Sequence, residues 1–277
     1  MKSIFALTFL FLAQAAQSQF YYKDIVGTRE TAEMMQVYMN NKVSRVLLTS
    51  YDADNTKSDN FHVEQEFISS ARTLKTSTKN GDADPTNLLS WIDSKGRVIK
   101  TLDSTIAYKS TSTYLYNENG DLLKILSISS DSANHSTQSE EHIWQYKDGA
   151  ITGMLRVKNK VDTIFVSFKT DEKGRIIEEQ ETRKGIKSEP YYYYYNSNGQ
   201  LSDIVRYNPK ARRLLPEYMF EYSPNNQVIQ KITVPSGSDK YLIWRYQYNA
   251  QGLKTKEAIY DKQKQLTGKV EYQYSFN

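Results

Sequence analysis

The sequence has no cysteine, only three histidines and six prolines, and no apolar run long enough to cross a bilayer as a helix. Without cysteine there is no disulfide framework and no thiolate metal site, so stability must come from strand pairing and aromatic burial. The longest apolar run, Ile4 to Ala13, is ten residues, against about 20 for a spanning helix. A net charge of +4, spread along the chain, is too mild and too dispersed to point to nucleic acid. No G-x-S-x-G, H-E-x-x-H or phosphate-cradling glycine loop occurs. No cofactor and no catalytic residue is expected.

The apolar run that is present reads as an address. Lys2 precedes it, and Ala16 and Ser18 supply the small residues a signal peptidase needs. Residues 1–18 are therefore expected to be a signal peptide, with Gln19 as the first mature residue. No cysteine follows the run, which excludes lipidation at a mature N-terminal cysteine. Without Lys2 the net charge falls to +3. A leader without cysteines behind it fits a bacterial exported protein, placed in the periplasm, at the cell surface or outside the cell.

Tyrosine is abundant, with 22 copies, and its placement is regular. In Tyr191 to Leu201, YYYYYNSNGQL, Tyr191, Tyr193 and Tyr195 share one face of a strand, because side chains alternate at every residue. Asn196-Ser197-Asn198-Gly199 then reverses the chain, since Asn and Gly tolerate left-handed geometry. The unit recurs at Tyr114-Leu115-Tyr116-Asn117 with Gly120, at Tyr246-Gln247-Tyr248-Asn249 with Gly252, and at Phe220-Glu221-Tyr222 with Asn226 in place of Gly. Phe168 with Asp171 and Gly174 keeps the turn and one aromatic. Trp144-Gln145-Tyr146 with Gly149 and Trp91 with Gly96 are looser copies, and Tyr272-Gln273-Tyr274 is a terminal half-unit. Successive turns lie 24 to 29 residues apart, the length of a β-hairpin with its return.

This Tyr-x-Tyr-Asn/Asp-x-x-Gly-x-Leu/Ile/Val pattern, from Trp91 to Asn277, resembles the YD repeats of RHS-type proteins. The resemblance implies an all-β scaffold: about seven repeated antiparallel β-hairpins of roughly 25 residues forming a long curled sheet. Asn replaces Asp in most turns, and the period is longer than usual. Large toxin-bearing members of that family end in a DPxG-type self-cleavage segment; here Asp84-Pro85 is followed by Thr86-Asn87. The resemblance thus implies the scaffold without the toxin.

Ahead of the repeats, Thr28 to Asn40 carries helix signals. Thr28 is placed to cap, Glu30 and Glu33 suit a first turn, and Met34, Met35, Val37 and Tyr38 form an apolar side. Such a helix is expected to plug or cover one end of the stack. Lys42 to Tyr51 and Phe61 to Ser69 alternate as strands. Ser70 to Thr86 is polar and reads as a surface loop or a drifted turn. The expected organisation is a leader (1–18), an N-terminal segment with the helix (19–41) and the hairpin domain (42–277).

Chemistry is sparse. His135 and His142 lie seven apart with Glu140 and Glu141 between them, a spacing that matches no zinc signature, so no metal is expected. Glu178, Glu179 and Glu181 read as a solvated strand face. Register places Tyr193 and Tyr195 in a core ladder and turns Tyr192 and Tyr194 outward. Variable returns, at Asp131 to Glu141, Asn208 to Glu217 and Pro235 to Lys240 among others, are expected to gather on one edge. Tyr192 and Tyr194, with Lys210, Arg212 and Arg213 of one return, are the candidate partner surface, facing an unidentified envelope protein or a glycan.

Three classes of function fit these features. The first is a non-enzymatic exported repeat scaffold that binds or interacts at the periplasm or cell surface. Its alternatives are an outer-membrane β-barrel and a carbohydrate-active enzyme whose site has no recognisable motif.

Overall fold

The structure, a computed structural model, describes residues 19–234 and 240–277. The expected leader lies outside the described residues, as does most of the return at 235–240. Among the described residues the first strands are β1 (Val43–Asp52), β2 (Lys57–Ile68), β3 (Thr73–Asn80), β4 (Thr86–Ile92), β5 (Val98–Ser104) and β6 (Tyr108–Tyr116). They are followed by β7 (Leu122–Asp131), β8 (Ser136–Lys147), β9 (Ala150–Lys158), β10 (Asp162–Thr170), β11 (Ile176–Arg183), β12 (Ile186–Lys187) and β13 (Tyr191–Tyr195). The last are β14 (Leu201–Asn208), β15 (Arg213–Tyr222), β16 (Val228–Thr233), β17 (Leu242–Tyr248), β18 (Lys254–Tyr260) and β19 (Leu266–Phe276). All belong to one sheet whose sequential neighbours pair antiparallel.

That sheet closes. β1 pairs with β2 on one side and with β19 on the other, in a register that sets Val46 opposite Tyr274, Leu48 opposite Tyr272 and Ser50 opposite Val270. β12 and β13 both lie against β11 and make one interrupted stave. The result is an 18-strand antiparallel barrel, which overturns the expected long curled sheet. The physical reason is at the two ends of the chain. An open sheet would leave the backbone groups of β1 and of the terminal half-unit unpaired, and each satisfies the other.

A ring of this size is too wide for its own side chains to fill, and the N-terminal segment lies within it. A π-helical turn, Tyr21–Val26, runs directly into α1 (Gly27–Asn40). Thr28 does not cap this helix, because Val26 before it is already helical. Instead of covering one end, the segment packs on the inner wall along its whole length. Phe20 packs among Leu122, Ile125, Trp144, Met154, Ile164 and Val166. Tyr21 and Tyr22 lie against a cluster of Ile176, Tyr193, Ile204 and Phe220. Met35 and Tyr38 pack with Val43, Val46, Leu48, Phe61, Val63 and Phe67.

The tyrosine repeat has a definite mechanical role. In each full unit the second tyrosine sits inside and donates its hydroxyl to a backbone carbonyl of the preceding unit. Tyr116 reaches Val98 at 2.7 Å, Tyr195 reaches Ile176 at 2.7 Å, Tyr222 reaches Leu201 at 2.8 Å, Tyr248 reaches Val228 at 2.9 Å and Tyr274 reaches Lys254 at 2.7 Å. Even the looser Trp144 copy keeps the latch, from Tyr146 to Leu122 at 2.9 Å. The acceptor is the first residue after a turn or its neighbour, where a bulge interrupts the ladder. A neutral bond of this kind is worth about 1 kcal/mol, and its recurrence fixes the spacing of turns.

The turns repeat one chemistry as well. Asn196 accepts the N–H of Asn198 and of Gln200, each at 3.0 Å, and Asp93, Asp171 and Asn249 do the same in their own turns. Gly199 has φ of 80°, and a Cβ there would meet only the Arg175 Nη1 at 3.6 Å. Space is therefore available and the backbone conformation is the obstacle. Gly199→Val is expected to cost on the order of 1 to 2 kcal/mol, measured as a shift of the urea midpoint at unchanged slope. A neutral substitution would mean that this glycine does not define the turn.

Three expected loops are partly strand. Ser70 to Thr86 contains β3, whose Leu74 faces inward opposite Phe67. One apolar residue among Thr, Ser and Lys left no alternation to read. The returns at Asp131 to Glu141 and Asn208 to Glu217 are tight turns, since β8 begins at Ser136 and β15 at Arg213. Asp131 accepts the N–H of Ala133 and of Asn134, and Asn208 that of Ala211. Short turns thus form these parts of the rim opposite the glycine turns too.

Candidate functional site

Among the described residues, two of the polar assemblies on the inner face join the N-terminal segment to the wall. In the first, β8 and β9 place Glu140, His142 and Arg156 on the inner face, and the π-helical turn brings Asp24 to them. The His142 Nδ1 is 2.6 Å from Asp24 Oδ2, and its Nε2 is 2.9 Å from Glu140 Oε1. Arg156 Nη2 donates to Glu140 Oε2 at 2.9 Å. Burial by itself lowers the His142 pKa, but the charges and hydrogen bonds of Asp24 and Glu140 outweigh it and raise the pKa to about 9. Glu140 moves the other way, to about 2, because the bonds and charges of His142 and Arg156 overcome the cost of its burial. With a carboxylate at each ring nitrogen, the imidazolium satisfies both. No ring nitrogen is left to activate a nucleophile or bind a metal.

The second assembly is built on Glu179, which is 0% exposed. Its Oε1 accepts the backbone N–H of Gln19 at 2.8 Å and of Phe20 at 2.9 Å. Its Oε2 accepts the Tyr21 N–H at 3.0 Å and the Tyr193 hydroxyl at 2.7 Å. Burial raises the Glu179 pKa, and the hydrogen bonds from Tyr193, Tyr21, Phe20 and Gln19 oppose that rise. Nearby, the Gln19 side chain donates to Glu217 Oε2 at 2.6 Å. The wall thus grips the first turn of the inserted segment by its unsatisfied N–H groups.

The residues singled out from sequence divide differently. Tyr193 is buried and Tyr194 is 48% exposed on the outer face; Tyr192 lies beside it on that face, opposite Val205. Lys210, Arg212 and Arg213 are exposed at the turn between β14 and β15. Tyr194 lies opposite Asp203, five residues along β14 from Asn208, or about 17 Å at 3.3 Å per residue. Tyr194 is thus set well back from the basic turn, while Tyr192, opposite Val205, lies three residues along β14 from Asn208. His135 sits in an exposed turn with φ of 46°, well apart from the role His142 takes. Among the described residues no cluster of three or more His, Asp or Glu is arranged to hold a metal ion.

The reading of Glu178, Glu179 and Glu181 as one solvated face is corrected. Glu178 faces out and pairs with Lys169 at 2.8 Å, while Glu179 faces in opposite Tyr191. Alternation is broken at the start of β11, where a bulge leaves Ile176 buried and Ile177 exposed, and only beyond it does Glu179 share the face of Tyr191 and Tyr193. The importance of His142 had no local signal, because its partner Asp24 is 118 residues away.

The outer face is mixed. Ionic pairs cross it at Arg45 and Glu64 (2.6 Å) and at Lys169 and Glu178, and Lys124 faces Glu141. Between them run apolar rows, one through Ile143, Leu155 and Phe165 and another through Met219, Ile232 and Ile243.

No protein-family model matches the chain, and no curated protein does. Among solved structures, a porin-like protein from Bacteroides uniformis ATCC 8492 is similar at 11% identity and a TM-score of 0.37, over 84% of this chain and 98% of that one. A chain of the TcdB2-TccC3-Cdc42 complex is similar at 14% identity and a TM-score of 0.34, over 78% of this chain but only 12% of that one. At such scores neither likeness bears on function. The closed barrel itself is the architecture that the outer-membrane alternative requires and that an open scaffold lacks.

Proposed function

We propose that this protein is a non-enzymatic β-barrel of the cell envelope, sealed by its own N-terminal segment and acting through its outer surface. The single observation that carries this reading is the inserted N-terminal segment, where Phe20, Met35 and Tyr38 are 6%, 0% and 4% exposed against the wall. A segment seated in this way narrows the lumen that a conduit or a substrate chamber would need. One recess among the described residues is an open groove at the rim, between Ile106, Tyr108, Asp131 and His135. Partner contact then falls to outward residues such as Tyr192 and Tyr194, with the basic turn of Lys210, Arg212 and Arg213 as a separate contact for an anionic envelope glycan or protein.

Closure of the ring favours the other reading, an outer-membrane barrel, over an open repeat scaffold, and the apolar rows on the outer face agree with it. The two readings differ in what surrounds that face. An Arg or Lys at the bilayer midplane costs about 2 to 4 kcal/mol, falling towards zero at the interfaces, and charged pairs occur on widely separated staves. The water-facing reading predicts that the mature protein stays monodisperse without detergent and does not float with liposomes. Quantitative flotation, or solubility only in detergent, would establish the membrane reading instead. In either setting the plug predicts no ion conductance across a planar bilayer.

A further inference from the structure

The Glu179 assembly receives a segment that begins where the leader is expected to end. Gln19 is 3% exposed and is engaged at both of its nitrogens, the backbone N by Glu179 at 2.8 Å and the side-chain Nε2 by Glu217 at 2.6 Å. Two inward carboxylates thus face one residue. Lys23 is a cation whose field reaches both of them, and Arg206 acts on Glu217. A peptide N–H offers a carboxylate one proton and no net charge. An α-ammonium offers three protons and a full positive charge, the better complement to a carboxylate removed from water.

We propose that Glu179 and Glu217 form a receptor for the chain's own N-terminus, the α-ammonium of Gln19 released by cleavage after Ser18, so that processing completes the seating of the plug. Cleavage hydrolyses the Ser18–Gln19 peptide bond: water supplies the hydroxyl of the new Ser18 carboxylate and a proton to the new amine. The amine, protonated, then replaces the neutral N–H at Glu179 Oε1. The same grip has a chemical consequence. A free N-terminal glutamine cyclises when its amine attacks its own side-chain carbonyl carbon and expels ammonia. Here the amine is held by one carboxylate and the amide nitrogen by another, so the mature terminus stays an open glutamine.

The test uses the exported, processed protein. N-terminal sequencing and intact mass are expected to give an uncyclised Gln19. An amine-reactive acylating reagent at near-neutral pH is expected to label that terminus on the order of tenfold or more slowly in the native protein than in urea, because the group is exposed only on opening. A single glycine inserted before Gln19, behind the same cleavage site, should lower the melting temperature by several degrees. In a Glu179→Gln background the same insertion should have little further effect, as expected when both changes break one interaction. If Glu179→Gln does not fold, Glu217→Gln serves as the second background. A sequence that starts at another residue overturns the processing step and the receptor together. A Gln19 terminus that labels equally fast in native and unfolded protein, is cyclised, or tolerates the glycine without loss overturns the receptor alone.

Discussion

Tyr193→Ala is expected to lower the unfolding free energy by about 3 to 5 kcal/mol, and Tyr194→Ala by well under 1 kcal/mol. The two residues are adjacent on β13 and chemically identical, so propensity and composition cancel in the comparison. Tyr193 is 2% exposed, stacks edge to face on Tyr21 with centroids 5.2 Å apart, and donates to Glu179. Tyr194 is half exposed on the outer wall. Removing the Tyr193 ring opens a cavity where plug and wall meet, and removing its hydroxyl leaves a buried carboxylate short of one donor. Tyr193→Phe separates the two, since it keeps the ring and loses only the bond, with an expected cost of about 1 to 3 kcal/mol. Urea unfolding followed by tryptophan fluorescence measures all three. Equal losses at 193 and 194 would show that both faces of β13 are buried, which a closed barrel with a water-facing outer wall does not allow.

Stability should also fall on the alkaline side, through His142. Its folded pKa is raised to about 9 from an unfolded value near 6.5. A group whose folded pKa is raised stabilises fully below the unfolded pKa, and that contribution is lost as pH rises through the folded one. Between about pH 6 and pH 9.5 the loss is on the order of 3 kcal/mol. The groups facing His142 are Asp24 from the plug and Glu140, with Arg156 behind Glu140 and the edge of the Phe20 ring. Other lumen groups act with the opposite sign: burial lowers the pKa of Lys23 and Lys231, so their contribution improves as pH rises. Asp24→Asn isolates the histidine by removing one of its two carboxylates. That variant should be less stable than the wild type at pH 6 and differ from it much less at pH 9.5. A constant difference across this range would mean that the imidazolium is not what Asp24 holds.

Much of this architecture was legible along the chain. Alternation of Tyr191, Tyr193 and Tyr195 fixed which face is buried, because a strand has no freedom to do otherwise. The Asn-x-x-Gly spacing located the turns, because a positive φ followed by an Asx-type bond admits few other residues. Both are local properties, settled within a few residues. The inward direction of Glu179 depends on a bulge that resets the alternation after Ile176, its charge argued for solvent, and the deciding donors lie some 160 residues earlier in the chain.

What only the tertiary structure decided is closure. The pairing of β1 with β19 joins segments over 200 residues apart, and neither carries a mark that names its partner: any alternating strand can pair with any other. An open stack and a ring share the same repeat, the same turns and the same latches between neighbours. They differ in the fate of two edges and in whether something fills the middle. Phe20, Met35 and Tyr38 supply the filling, and their weak helical pattern shows a packing face without saying what it meets. The sequence by itself therefore determined the stave. The count of staves, the closure of the ring and the sealing of its lumen follow from burial between remote segments, where hydrophobic contact is strong but carries no address.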